Sequence, residues 1–186
     1  QVMMEGQNPL EHYVTESIDK IGNPHPLFDN TYYLKQLHLT EELTSTPLEH
    51  FLRSKNYDLL KSHPLFDPAF YLEMNTDISE EKQNPLLHFV LLGYRQGRNP
   101  HPLFDLSYYL EQHEDIKEQN ALLHYLQKGA NEDSNPSPVF HTKYYQKQLR
   151  AANIYGENPL IHYLEKGSMC GFNPNPLFFS DYYLKK

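Results

Sequence analysis

The stretch Asn84-Pro-Leu-Leu-His-Phe-Val-Leu-Leu-Gly-Tyr-Arg-Gln-Gly-Arg-Asn-Pro-His-Pro-Leu-Phe-Asp-Leu-Ser-Tyr-Tyr-Leu110 contains two short motifs, and both recur along the 186 residues. The first returns as Asn8-Pro9-Leu10-Glu11-His12-Tyr13, Thr46-Pro47-Leu48-Glu49-His50-Phe51, Asn120-Ala121-Leu122-Leu123-His124-Tyr125 and Asn158-Pro159-Leu160-Ile161-His162-Tyr163. Successive copies start 38, 38, 36 and 38 residues apart. The second motif, Pro-Leu-Phe-Asp or a variant of it, begins at Pro26, Pro64, Pro102, Pro138 and Pro176, always 17 residues after the first motif's Pro or Ala. Two motifs that keep one phase over five copies define a tandem repeat, with all length variation lying between the second motif and the next copy of the first.

Each copy reads as two helices. Asn8 is a suitable N-cap, and Pro9 fits the first helical position because its missing N–H has no partner there anyway. Leu10, Tyr13, Val14, Ser17, Ile18 and Ile21 then follow helical spacing as one stripe, and Gly22, like Gly93, Gly129 and Gly167, reads as a stop. Gly22 to Pro26 is a proline-stiffened turn. Asp29 caps a second helix through Tyr32-Tyr33-Leu34, as Asp67 and Asp105 do later. Phe28 and Tyr33 stand at the two positions of a hydrophobic staple, as do Phe66 with Tyr71 and Phe104 with Tyr109. His141 and Phe179 replace the Asp cap, so Thr142 and Ser180 are expected to cap one residue later. Asp77-Ile78, Asp115-Ile116 and Asn153-Ile154 read as starts of a further short turn. Helices of roughly 8 to 14 residues are marginal alone and need stacking to bury their stripes. The expected fold is therefore all-α: an α-solenoid-like array of five helix-turn-helix repeats of about 38 residues, in copies 8–45, 46–83, 84–119, 120–157 and 158–186 of a single repeat domain.

Composition excludes several functions. The chain is 39% hydrophobic and 13% aromatic, with 15 Tyr, 10 Phe and no Trp, which is too apolar for a disordered segment. A formal charge of −8 offers no source of phosphate neutralisation, so neither nucleic acid nor an anionic membrane surface is an expected partner. The longest apolar run, Phe89 to Leu92, is far short of a membrane span, and no transmembrane segment is expected. The single Cys170 excludes an internal disulfide. The chain opens on Gln1-Val2-Met3-Met4, with neither a basic segment nor an apolar signal core, and we read it as an excised fragment.

Five of the 11 His residues, His12, His50, His88, His124 and His162, recur at one position in every copy. A catalytic centre is assembled once, whereas a hydrogen bond that holds a repeat is repeated, so these are expected to be structural, bridging to a neighbouring helix or turn. His25, His63 and His101, replaced by Ser137 and Asn175 in the last two copies, read as turn residues. No HExxH motif, phosphate-binding glycine loop or nucleophile elbow is present, and neither a metal nor a cofactor is expected. The acidic pairs Glu41-Glu42, Glu80-Glu81 and Glu132-Asp133 read as solvated surface.

Two sets of residues suggest contacts. The first member of each aromatic pair, as in Tyr32, Tyr108, Tyr144 and Tyr182, points about 100° away from its neighbour on a helix. It either joins the inter-repeat core or stacks on sugar rings. Leu87, Leu123 and Ile161 occupy the position that holds Glu11 and Glu49 in the first two copies, and Leu91 lies one turn beyond Leu87. The helix from Pro85 to Tyr94 is thereby apolar on two faces, and a second apolar face is met either by the curvature of the array or by another domain or subunit.

The run Asn84 to Leu110 resembles the "NPLxHYLxxGxxEGRxPxPLFDxxYYL" repeats of bacterial proteins, which flank glycosyltransferase domains of surface-polysaccharide biosynthesis and also occur in large secreted calcium-binding repeat proteins. The likeness extends from Asn8 to Leu184, with departures at Ala121, Val139, His141 and Phe179. It implies an accessory helical region of a glycosyltransferase or capsule-assembly polypeptide, cytoplasmic and held at the inner membrane through partners, with secretion as the other setting. The sequence has no DxD-type metal site and no GGxGxD calcium repeat, so the resemblance carries neither the transferase chemistry nor a calcium role onto these residues. Together these readings describe a non-catalytic scaffold whose partner is a protein, an adjacent glycosyltransferase domain or a second copy, through Leu87, Leu91, Leu123 and Ile161. The other reading is a carbohydrate-binding module that stacks polysaccharide on Tyr32, Tyr108, Tyr144 and Tyr182.

Overall fold

Residues 6, 8–17, 20–37, 45–56 and 58–185 are described by the structure, a computed structural model. Gln1-Val2-Met3-Met4, Ile18 and the Glu41-Glu42 pair lie outside the described residues. Among those residues the fold is all-α. The first copy contributes α1 (Pro9–Thr15) and α2 (Asn30–Gln36), the second α3 (Pro47–Arg53), α4 (Pro68–Met74) and α5 (Thr76–Glu80). The third and fourth contribute α6 (Pro85–His88), α7 (Leu106–Glu111), α8 (Ala121–His124) and α9 (Thr142–Ala151), with α6 and α8 running into single π-helical turns at Phe89–Gly93 and Tyr125–Gly129. The fifth contributes α10 (Pro159–Glu165) and α11 (Ser180–Leu184).

The helices start where the motifs place them. The Asn8, Thr46, Asn84, Asn120 and Asn158 side chains each accept a backbone N–H of their helix's first turn, and a Pro or Ala stands at the first helical position. Asp29, Asp67 and Asp105 cap α2, α4 and α7 at 2.8–3.0 Å. His141 performs the same task through its ring, with Tyr144 N–H donating to Nδ1 at 3.3 Å. Thr142 and Ser180 are not caps: their hydroxyls donate back to the Ser134 and Phe172 carbonyls at 2.7 Å, inside the preceding turn. Of the three expected extra turns, Asp77-Ile78 lies in α5 and Asp115-Ile116 in a 3₁₀ turn (Glu114–Ile116), whereas Asn153 takes a left-handed φ of 59° and starts none.

The first helix is shorter than its stripe. α1 closes at Thr15, with Glu16 already extended, and Leu10 and Val14 remain exposed. Val14 and Thr15 are β-branched and weak helix formers, and α3 and α10 close after the same seven residues.

Packing joins each copy to the next. The second helix of one copy lies on the first helix of its successor: α2 on α3, α4 on α6, α7 on α8 and α9 on α10. Phe28, Tyr33 and Phe51 form a ring trio with centroids 5.3–5.7 Å apart. Phe66–Tyr71–Phe89, Phe104–Tyr109–Tyr125 and Phe140–Tyr145–Tyr163 repeat it. Tyr33, Tyr71, Tyr109 and Tyr145 are 0% exposed. Burial of such a side chain contributes about 2–3 kcal/mol, and each aromatic pair adds about 0.5–1.5 kcal/mol. The proline turns stack in the same direction: the N–H groups of Asp29, Asp67, Asp105 and His141 donate to the carbonyls of Ser62, Pro100, Pro136 and Pro174 in the next turn, all at 2.9 Å.

Gly93, Gly129 and Gly167 differ from the expected helix stops. None has a positive φ. A Cβ at these positions would stand 2.1, 2.0 and 1.9 Å from the hydroxyl oxygens of Tyr71, Tyr109 and Tyr145. These glycines are there because a buried phenol presses on the backbone. Gly93→Ala and Gly129→Ala are therefore expected to destabilise by about 1–3 kcal/mol through overpacking, seen as a fall of several degrees in the circular-dichroism melting temperature. Tyr71→Phe should recover part of the Gly93→Ala loss, since it removes the clashing oxygen; strict additivity of the two changes would rule out this account.

Candidate functional site

The most repeated polar contact joins the second tyrosine of one copy to the histidine of the next. Tyr33 Oη lies 2.7 Å from His50 Nδ1, Tyr71 Oη 2.8 Å from His88 Nδ1, Tyr109 Oη 2.8 Å from His124 Nδ1 and Tyr145 Oη 2.7 Å from His162 Nδ1. Burial pushes the Tyr33 phenol up to about 12 and raises those of Tyr71, Tyr109 and Tyr145 further, so these hydroxyls stay protonated. Burial also lowers His88, His124 and His162. At His88, His124 and His162 burial thus favours a neutral phenol hydrogen-bonded to a neutral imidazole. His12, in the first copy, sits instead 3.9 Å from Glu16.

The turn histidines form a second set. His25, His63 and His101 each turn Nδ1 onto the N–H two residues on, at 3.0–3.1 Å, and Asn175 does the same with Oδ1 at 2.8 Å. Burial holds His63 and His101 at about 4 and lowers His25 less far. Other polar side chains complete the turns in a way that the motif reading passed over. Asn23, Asn99, Asn135 and Asn173 accept the first N–H of the following helix at 2.8–2.9 Å. Gln36 and Gln148 clamp the backbone of Lys61 and Asn173 with two hydrogen bonds each, and Gln112 reaches the Asn135 carbonyl. The recurrence of Gln three residues after the second tyrosine in three copies was the available signal.

The expected contact residues separate into two groups. Leu123 and Ile161 are half-buried and pack against the core. Leu87 and Leu91 stand 45% and 63% exposed, and the neighbouring Leu92, brought round by the π-helical turn, is 51% exposed. The structure thus divides the four leucine and isoleucine positions and adds Leu92, whose signal was the apolar run Phe89 to Leu92. Tyr32, Tyr108 and Tyr144 are half-buried at one recurring position, and Tyr182 on the last helix is exposed. Glu80, Glu81, Glu132 and Asp133 are exposed.

Among the described residues no group of three or more His, Cys, Asp or Glu side chains is arranged to hold a metal, and no helix is long and apolar enough to cross a membrane. Cys170 is exposed in a 3₁₀ turn (Gly167–Cys170). An open groove beside α4 and α5 is lined by Lys55, Asp58, Leu72, Glu73, Ile78 and Lys82, side chains of both charges with no convergent donor set.

The turn histidines make stability depend on pH. A histidine at about 4 when folded and about 6.5 when unfolded binds more protons in the unfolded chain between those values, so its contribution is complete above about pH 6.5 and is lost as pH falls towards 4. Each of His63 and His101 accounts for up to about 3 kcal/mol of that loss. His63→Asn with His101→Asn keeps the acceptor seen at Asn175, so urea unfolding of this variant should show a smaller drop in stability between pH 7 and pH 4.5 than the parent. An unchanged pH slope would refute the assignment.

No protein-family model, curated protein or solved structure matches this chain.

Proposed function

We propose that the chain is a non-catalytic helical repeat scaffold, an α-solenoid-like array of five helix pairs that holds a partner protein at a set distance. One observation carries the reading: the recurring Tyr and His side chains join one copy to the next at four places, whereas in copy three Leu87 and Leu91, joined by Leu92, stand exposed. Three large apolar side chains on one short helical segment are a contact surface in search of a partner. The likeness of Asn84 to Leu110 to repeats beside glycosyltransferase domains supplies the context. The partner is then the adjacent glycosyltransferase domain of a bacterial surface-polysaccharide assembly polypeptide, and the setting is the cytoplasmic side of the inner membrane.

Leu87→Glu with Leu91→Glu tests this directly. Both positions are exposed, so the variant is expected to keep its far-UV circular dichroism and lose no more than about 1 kcal/mol of stability. Calorimetric titration with the glycosyltransferase domain encoded beside the chain should show binding by the parent and none by the variant. Retained binding, or global unfolding of the variant, would defeat the proposal. Titration with the cognate polysaccharide supplies the contrasting outcome, since resonance shifts confined to Tyr32, Tyr108, Tyr144 and Tyr182 would favour carbohydrate stacking.

A further inference from the structure

The proline turns stack in a line, and each contact in the line lands beside one side chain. The N–H of Asp29 donates to the carbonyl of Ser62, next to His63, and that of Asp67 to Pro100, next to His101. The N–H of Asp105 donates to Pro136, next to Ser137, and that of His141 to Pro174, next to Asn175. Four junctions of one geometry, all at 2.9 Å, therefore carry two kinds of side chain. A histidine stands at the first two, and a serine or asparagine at the last two.

His63 and His101 hold their turns in a way that only a neutral ring can. They are 6% and 8% exposed, and Nδ1 of each accepts the N–H of Leu65 or Leu103 at 3.1 Å. A proton on that nitrogen would set two N–H groups against each other in a buried space. Asn175 accepts the Leu177 N–H through its amide oxygen at 2.8 Å, and the Ser137 hydroxyl is buried with no hydrogen-bond partner among the described residues. Neither takes up a proton in this range. The charges that face the two imidazoles do not restore their basicity. Asp29 favours the charged form of His63 and His25 opposes it; Asp67 favours that of His101, and Lys61, paired with Asp67 at 2.6 Å, opposes it. Burial outweighs both carboxylates.

The other histidines respond to acid differently. A phenol oxygen both donates and accepts, so the hydroxyls of Tyr33, Tyr71, Tyr109 and Tyr145 can turn and keep the Tyr–His bond when the imidazole gains a proton. A backbone N–H has no such freedom. His141 accepts the Tyr144 N–H at 3.3 Å, but on an exposed ring that water reaches. His25, half-buried with the Leu27 N–H on its Nδ1, adds to the acid-sensitive side.

We propose that the array carries an acid-sensitive hinge: as pH falls, the turns at His63 and His101 open while those at Ser137 and Asn175 stay closed. Opening frees the imidazole to take up the proton that the closed turn refuses. The closed form is therefore fully favoured above about pH 6.5 and loses ground as pH falls towards 4. Because each copy contacts its neighbours, a repeat array comes apart locally rather than all at once. Leu87, Leu91 and Leu92 lie between the two hinge turns in the chain, so acid also disturbs the surface on which they stand. That consequence rests on the scaffold reading, whereas the hinge does not.

Amide hydrogen exchange read by NMR from pH 7 to pH 4.5, with protection corrected for the intrinsic exchange rate at each pH, tests the hinge residue by residue. A ring at about 4 when closed and about 6.5 when open makes opening up to about a hundredfold more frequent at pH 4.5. Protection of the Asp29, Leu65, Asp67 and Leu103 amides is expected to fall by that order. The Phe140 and His141 amides, which donate to the Ser137 and Pro174 carbonyls, should change little. His63→Asn with His101→Asn should remove the fall, and Ser137→His should extend it to Phe140. Protection lost at Phe140 and His141 along with the rest, lost nowhere, or lost equally in the asparagine variant would each overturn the hinge. Should that variant not fold at pH 7, the pattern across the turns of the parent chain decides alone. No partner takes part in this measurement, so its failure and a failed titration with the glycosyltransferase domain are separate results.

Discussion

A tyrosine hydroxyl carried into a dry interface needs a partner, because a buried phenol without one loses the hydrogen bonds it made to water. In this chain the partner is the imidazole of the next copy, and the oxygen reaches it, in copies three to five, only because the backbone beside it carries no Cβ. Tyrosine, histidine and glycine thus act as one device contributed by two successive copies. The rings of the tyrosine and of the residue after the histidine meet nearly edge to face, at 84–89°, which sets how one helix lies on the next. Stability of such a chain is dominated by nearest-neighbour terms, since a copy that lacks its neighbour leaves half of its core in water.

The proline turns solve a different problem. A non-helical segment with buried backbone must find partners for every N–H and carbonyl, and here the side chains of Asn, Asp, His and Gln supply them at fixed places. The imidazole of His63 or His101 serves as a neutral acceptor for a backbone N–H, which is why its burial lowers its basicity and why an asparagine can stand in for it in the last copy. Copy two shows how far the scheme stretches. Lys61 replaces the capping asparagine there and pairs with Asp67 at 2.6 Å, while the turn keeps its place through Gln36.

The proposed scaffold function falls to side chains that the packing between copies leaves over. The recurring His and Tyr side chains that first suggest a catalytic or metal site are the ones most fully taken up by packing. Leu87, Leu91 and Leu92 occur together in one copy and remain outside the core.

The repeat, its period, the two helix starts per copy, the staples and the structural character of the recurring histidines all follow from sequence, because caps, proline positions and periodic apolar residues act through contacts a few residues apart. Helix length did not follow, since the apolar stripe of the first copy runs on to Ile21 while α1, α3 and α10 all close after seven residues. Nor did the role of Gly93, Gly129 and Gly167, which depends on a tyrosine 20–22 residues earlier in the chain. Leu87 and Ile161 hold equivalent places in their copies, yet one is exposed and the other packs on the core. Sequence determined which residues repeat and where each helix begins; only the tertiary structure decided which equivalent positions are buried, because burial depends on what lies on the other side.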